Sequence, residues 1–316
     1  MYHRVTNLET DPWDLAVSPA NFESQIACLK RKYRILSTEE LTYQIQRGKI
    51  DSDSICLTFD DGYKDNYEIA KPILEKHNCP ATFFIATSYL ETQQPYWWDD
   101  LERIVLHSPK LPPRLEISIN GEQLCFELEN DGWLTEEQRQ QQKLWTWQQE
   151  PPTKRCDAYF TIWERLKPLP YEQILDVLAT LNSLVQKESS GEKDHFPMTF
   201  EQLADMSKNP LFTIGLHTHT HPALKFHSRG MQLSDINTNR QQLETLLDRS
   251  INVISYPYGI YNDDTLSIAE ELQLKAAFTT NGKCIVSQSS PHKLGRIAAL
   301  NHDGRTILHH IAPYFI

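Results

Sequence analysis

Short apolar runs that alternate with helical patterns constrain the fold of this chain more than any other feature. Runs over 55–59, 81–85, 212–216, 252–256 and 276–279 have the length and residue types of strands. Helical patterns over 66–77, 235–249 and 263–272 follow three of them. A parallel neighbour can be reached only through a crossover, so strand-then-helix repetition points to an α/β protein with a parallel sheet or barrel. The 316 residues suit one to two domains, and single α/β barrels reach this size.

The middle of the chain, residues 93–195, breaks that rhythm. Residues 115–128 alternate apolar and polar around Asn120-Gly121, a strong hairpin signal. Helical stretches are expected near 157–166 and 171–187, and an exposed loop over 189–194. This region reads as an insertion within one domain spanning 1–316. It holds six of the seven tryptophans, Trp97, Trp98, Trp133, Trp145, Trp147 and Trp163. Most are expected in the core of the insertion, with one or two free to offer a flat face to a sugar ring.

A net charge of −11 argues against a general nucleic-acid binder, which needs a basic surface. No stretch approaches the length of a membrane span. The six cysteines are scattered without a C-x-x-C spacing, which favours reduced thiols over a disulfide frame or a cysteine zinc site. The first residues, Met1-Tyr2-His3-Arg4-Val5, show no charged-then-apolar signal pattern. A cytoplasmic location is therefore expected, and export if the true start lies upstream.

The run 55–59 ends in Asp60-Asp61-Gly62. Negative charge at the rim of a core must be paired, hydrated or bound to a cation. Taken alone, Asp-Asp-Gly after a strand is a turn or a helix cap. Far downstream, His217-Thr218-His219-Thr220-His221 follows the run 212–216. In an extended segment all three histidines share a face, whereas in a helical turn His217 and His221 share one without His219. Pro222 opposes continued helix, so spacing leaves the pair open. A surface patch is the bland reading of such a cluster, but three histidines within five residues favour metal. Carboxylate and imidazole together suit zinc and its first-row neighbours, and three protein ligands leave an open position for water.

These residues carry a family resemblance. Thr58-Phe59-Asp60-Asp61-Gly62, the segment from His217 to Pro222, and Ser255-Tyr256-Pro257-Tyr258-Gly259 resemble three successive motifs of the polysaccharide deacetylases, the NodB-homology class of carbohydrate esterases. Order and spacing agree, and the resemblance spans nearly the whole chain. It implies a distorted, TIM-like (β/α) barrel of about seven strands that removes acetyl groups from N-acetylated sugars. It also implies a divalent metal, zinc by default, with cobalt, nickel or iron able to use the same ligands.

Position by position, Asp61, His217 and His221 resemble the metal ligands and Asp60 the general base. The Tyr258 backbone N–H resembles the oxyanion donor, and His219 falls on a variable position. The arginine that many members carry two residues before the motif proline is Ser255 here. Arg296, in the stretch 294–300, is the candidate replacement partner for the base. The C-terminal Leu-x-His element is not clear, since Leu308-His309-His310 sits in an expected helix. Tyr2-His3-Arg4 resembles the Tyr-His motif of a branch that includes poly-N-acetylglucosamine deacetylases, which makes His3 the candidate general acid.

Three functions compete. The first is an N-deacetylase acting on an acetylated sugar or glycan. The second keeps barrel and metal but hydrolyses a non-sugar amide. The third is a catalytically silent glycan-binding module, against which the complete set Asp60, Asp61, His217 and His221 counts.

Overall fold

The computed structural model describes residues 1–185 and 195–315, so the loop expected over 189–194 and the end of the helix expected over 171–187 lie outside the described residues. Two compact units form: Met1–Asn7 with Leu15–Gln94 and Phe196–Ile316, and Leu8–Asp14 with Pro95–His195. In chain order the strands are β1 (Arg4–Val5), β2 (Ala16–Val17), β3 (Arg34–Leu36), β4 (Ser54–Cys56), β5 (Thr58–Phe59) and β6 (Ala81–Ile85). They continue as β7 (Arg114–Ile119), β8 (Glu122–Glu127), β9 (Phe212–Leu216), β10 (Val253–Ser255) and β11 (Ala276–Phe278).

In the first unit, five strands form a sheet in the order β11-β10-β9-β6-β5. Every pair in it is parallel. The chain is therefore α/β with a parallel sheet, as the alternation implies. Among the described residues the regular sheet stops at five strands, fewer than the seven that the family resemblance implies. The apolar run 55–59 divides at Leu57: β4 pairs with β3, and β5 pairs with β6. Ladder-type bonds continue beyond both edges. Tyr2 N–H donates to Thr58 O at 2.8 Å, and Asp60 N–H to Tyr2 O at 3.0 Å. At the other edge Thr279 N–H donates to Leu294 O at 2.8 Å, and Leu294 N–H to Ala277 O at 2.9 Å.

The sheet is buried on both faces. All five residues of β6, Ala-Thr-Phe-Phe-Ile, are buried, which a parallel strand covered by crossover helices requires. Phe59 stacks on Tyr2 at 5.1 Å and on Phe83 at 4.7 Å. Each such side chain contributes ~1.5–3 kcal/mol through burial. Gly215 in β9 permits the close approach of Phe84, because a Cβ there would lie 2.5 Å from that ring. The helix expected from 235 starts earlier and spans Arg229–Leu247, capped by Ser228, whose Oγ accepts from Met231 N–H. The helix expected over 66–77 opens with a π-helical turn, Asn66–Ala70, and continues as Lys71–Lys76.

Parallel order has one consequence for chemistry. The carboxyl ends of all five strands lie along one edge, and Asp60, His217 and Tyr256 directly follow β5, β9 and β10.

In the second unit β7 and β8 form an antiparallel hairpin. Its turn residues Asn120 and Gly121 have φ of 50° and 83°, the left-handed pair that makes Asn-Gly favourable there. Helices Trp97–Glu102, Glu136–Leu144, Lys154–Leu166 and Tyr171–Ser183 accompany the hairpin. Arg155 is fully buried and donates to the carbonyls of Asp131, Gly132, Val105 and Ser108. Those oxygens replace the water that the guanidinium loses. Leu8–Asp14 joins this unit through Trp13, whose ring lies 4.0 Å from Trp163 and whose Nε1–H donates to Tyr159 Oη at 2.6 Å. Trp97, Trp98, Trp145 and Trp163 are buried, while Trp133 and Trp147 are 59% and 45% exposed.

Candidate active site

Asp60 and Asp61 are adjacent and both buried, yet they have separate partners. Asp60 stays in the ladder through its bond to Tyr2 O. Asp61 then adopts φ 74° and Gly62 φ 92°, a left-handed pair that turns the chain out of the strand. Asp60 Oδ1 and Oδ2 accept from Arg296 Nη1 and Nη2 at 2.7 and 2.6 Å, a bidentate pair. Asp61 Oδ1 lies 3.3 Å from Nε2 of both His217 and His221.

The histidine segment is neither extended nor helical. Thr218 and His221 have φ of 65° and 58°, and a β-branched residue in that region costs on the order of 1–3 kcal/mol. The turn brings the two Nε2 atoms to 3.2 Å. His217 Nδ1 lies 2.8 Å from Ser255 O. That carbonyl can only accept, so the Nδ1 proton is fixed and Nε2 is left able to coordinate a cation. His219 is not in the triangle: its Nδ1 meets Thr87 Oγ1 at 3.0 Å.

Asp61, His217 and His221 form the one group of potential metal ligands of this kind among the described residues, and all three are buried. A tetrahedral zinc with ligands at ~2.0–2.2 Å spaces those ligands ~3.3–3.6 Å apart. The observed edges of 3.2, 3.3 and 3.3 Å match such a face closely. The donor set of one carboxylate and two imidazoles fits a first-row divalent cation.

Charge is distributed to keep both carboxylates ionised. Burial alone would raise Asp60, but the Arg296 guanidinium, aided by His217 and His3, outweighs it and holds the carboxyl far below its ordinary range. Burial likewise opposes ionisation of Asp61, and the His217 and His221 imidazoles beside it outweigh that, holding the carboxyl below its ordinary range. The Ser255 hydroxyl completes the surroundings of Asp60. It donates to Asp60 Oδ2 at 3.0 Å and accepts from Arg296 Nη2 at 2.7 Å. Arg296 also donates through Nε to Thr279 O at 3.0 Å. Ser255 thus touches both halves of the site, its hydroxyl facing Asp60 and its carbonyl fixing the His217 imidazole.

Tyr258 lies in the turn Pro257–Gly259 with φ 57°. Its ring packs edge-on against His221, centroids 4.6 Å apart. Gly259 follows with φ 66°, where a Cβ would lie 2.1 Å from Thr280 Oγ1, so only glycine fits. His3 precedes β1, and its carbonyl accepts from Asn66 Nδ2–H at 2.8 Å. Burial lowers the His3 imidazole, which also feels the charges of Asp61, Asp60, Arg296 and His217. His3 is thus coupled to the cluster electrostatically. His309 and His310 lie on the helix Gly304–Ile311, where His309 is exposed.

Ser255 is the residue whose part sequence reasoning missed. Its signal was the departure noted in the sequence, a small hydroxyl where the resemblance implies an arginine, which leaves room for Arg296.

The family model for polysaccharide deacetylases matches residues 47–108 and 171–277, more than half of the chain. The poly-beta-1,6-N-acetyl-D-glucosamine N-deacetylase of Staphylococcus aureus is 22% identical over 284 residues, covering 89% of this chain and 67% of the relative. Among solved structures, the Streptococcus pyogenes deacetylase PplD in complex with acetate superimposes with a TM-score of 0.61 at 20% identity, covering 98% of this chain and 95% of that one. IcaB from Ammonifex degensii gives 0.58 at 17% identity, with 99% and 94% covered. At these identities the structural likeness shows a shared fold.

Proposed function

The chain belongs to the polysaccharide deacetylase family, and from that premise we propose that it is a metal-dependent hydrolase that removes acetyl groups from N-acetylated sugars. The observation that carries this reading is the pairing of the Asp61, His217 and His221 triangle with a second, separately held carboxylate, Asp60, on the adjacent residue. A silent glycan-binding module would need neither the ligand triangle nor the buried ion pair. The name of the Staphylococcus aureus relative, a poly-beta-1,6-N-acetyl-D-glucosamine N-deacetylase, supports a polymeric substrate.

Asp61, His217 and His221 would hold a divalent cation, zinc by default, which when bound would polarise the acetamide carbonyl and the attacking water. Asp60 accepts the proton of that water at a carboxylate oxygen as the new C–O bond forms. Arg296 and Ser255 hold the carboxylate ionised and oriented for this. The Tyr258 backbone N–H donates to the developing oxyanion. Collapse breaks the C–N bond, and His3 delivers a proton to the departing amine, leaving acetate and a free amino sugar.

We read the fold in the same frame. Beyond the five regular strands, Ala299 N–H donates to Met1 O at 2.8 Å. With the bonds that join Tyr2 to β5 and Leu294 to β11, this favours a ring of seven strand positions, a distorted barrel with Pro95–His195 inserted after its third segment. Acetate release from an N-acetylglucosamine oligomer tests the functional reading against a non-sugar amide of matched leaving group. Release from the sugar supports it, and turnover of the non-sugar amide alone would replace it.

A further inference from the structure

Two side chains on the helix Arg229–Leu247 hold the backbone that carries the histidine ligands. Asp235 and Asn239 stand four residues apart, on one face of that helix. Asp235 is buried, and its Oδ1 accepts from the N–H of His219 at 2.6 Å and of Thr220 at 3.2 Å. Its Oδ2 accepts from Thr220 N–H at 3.3 Å and from Thr220 Oγ1–H at 2.6 Å. Asn239 is fully buried, and its Oδ1 accepts from His217 N–H at 3.2 Å. Its Nδ2 donates to Ile85 O at 2.9 Å and to Thr87 Oγ1 at 3.1 Å. Thr87 Oγ1 is the same atom that meets His219 Nδ1.

Within 217–221, the N–H groups of His219 and Thr220 are thus satisfied by Asp235, and that of His217 is shared between Asn239 Oδ1 and the Ile85 carbonyl, both at 3.2 Å. His221 N–H is taken inside the turn, by Thr218 Oγ1 at 3.1 Å. The turn also contains a β-branched residue at φ 65°, Thr218. A chain keeps such a conformation only where its surroundings over-determine it. Without Asp235 the part-buried N–H groups of His219 and Thr220 would lose their acceptor, without Asn239 the link from the helix to His217 and to Ile85 would be lost, and Thr218 could relax to negative φ. Either change would move the His217 and His221 imidazoles apart.

We propose that Asp235 and Asn239 are positioning residues that set the affinity of the Asp61, His217 and His221 triangle for a divalent cation, by holding the 217–221 turn in its strained shape. The proposal rests on the metal reading above. Neither residue touches substrate in this account, so their effect falls on metal binding and not on substrate binding. Groups that orient metal ligands are typically worth ~10–100-fold in metal affinity.

The test is the zinc dissociation constant, measured by competition with a chromophoric chelator, alongside thermal unfolding of the metal-free protein. Asp235→Ala and Asn239→Ala should each weaken zinc binding ~10–100-fold, with Asp235→Asn intermediate because one oxygen can still accept. At saturating zinc, KM for an acetylated glycan should stay within about twofold of wild type. If Asp235→Ala does not fold, Asp235→Asn carries the measurement. Wild-type zinc affinity in folded Asp235→Asn and Asn239→Ala would overturn the proposal, as would a loss of stability with no change in affinity. A wild-type protein that binds no zinc would overturn the metal reading itself, and this assignment with it.

Discussion

Replacing Arg296 by Met removes the guanidinium from Asp60 while keeping much of the side-chain volume. Asp60 and Arg296 are 1% and 6% exposed, so solvent cannot take over the charge that is left behind. Breaking a buried pair on one side typically costs ~3–5 kcal/mol. For a body the size of the first unit, ~2–4 °C per kcal/mol makes this a fall of roughly 6–20 °C in the Tm of the metal-free protein. The cost should depend on pH with a definite sign. In wild type the Asp60 carboxyl lies below its unfolded value, so its contribution is full above that value and is lost as pH falls through the folded one. In Arg296→Met, burial acts without the guanidinium and raises the carboxyl, so the variant is destabilised most where Asp60 must ionise. Its deficit relative to wild type should therefore be full at about pH 7.5 and shrink towards about pH 4.5, where the carboxyl can protonate. Adding Asp60→Asn should recover most of the loss, because a neutral pair leaves no buried charge. Differential scanning fluorimetry over that pH range on the four proteins of the cycle reads all of this. A Tm for Arg296→Met within about 2 °C of wild type at about pH 7.5, or a deficit independent of pH, would refute the reasoning.

Other outcomes follow from the same geometry. His217→Ala, His221→Ala and Asp61→Ala should each abolish tight zinc binding by elemental analysis after gel filtration, whereas His219→Ala should retain it; full zinc content in His217→Ala would contradict the triangle. His3→Ala should lower kcat for an acetamide more than for an activated acetyl ester, whose leaving group needs little protonation, and equal losses on both substrates would remove His3 from the acid role. His309→Ala and His310→Ala should leave turnover unchanged in the same assay. Phe83→Ala, in the centre of the stacked Phe59 and Phe83 pair, should destabilise by ~3–5 kcal/mol in denaturant unfolding, and a loss below about 1 kcal/mol would show that the strand core is not packed as described.

Local signals were legible where they were periodic or stereochemical. β6 and β9 are five-residue apolar runs and occupy the spans expected of them. Asn120-Gly121 made its hairpin because the turn demands two left-handed residues. Spacing alone did not choose among the three histidines, because Thr218 and His221 both take positive φ and neither extended nor helical spacing describes such a turn; the family resemblance is what singled out His217 and His221. Non-local contacts were also silent. Nothing near Leu8–Asp14 announces that Trp13 packs with Trp163, 150 residues later. The early start of the helix Arg229–Leu247 had a readable signal in Ser228 as its cap. Missing it placed Asp235 at a helix end, where its contact with the histidine turn could not be anticipated. Arg296 was named from the sequence as the partner of Asp60, and the structure pairs the two; that Ser255, 41 residues earlier in the chain, bonds to both of them is seen only in the structure.

The central claim is that a metal held by Asp61, His217 and His221 works together with Asp60 to hydrolyse an acetamido sugar. The most direct measurement is acetate release from an N-acetylglucosamine oligomer by wild type as purified, after chelation, and after zinc is restored, with Asp60→Asn carried through the same three states. Wild type should lose turnover on chelation and regain it with zinc, whereas Asp60→Asn should bind zinc normally yet stay ~10²–10⁴-fold slower. Undiminished acetate release after complete chelation, or near-normal turnover by zinc-loaded Asp60→Asn, would contradict the account.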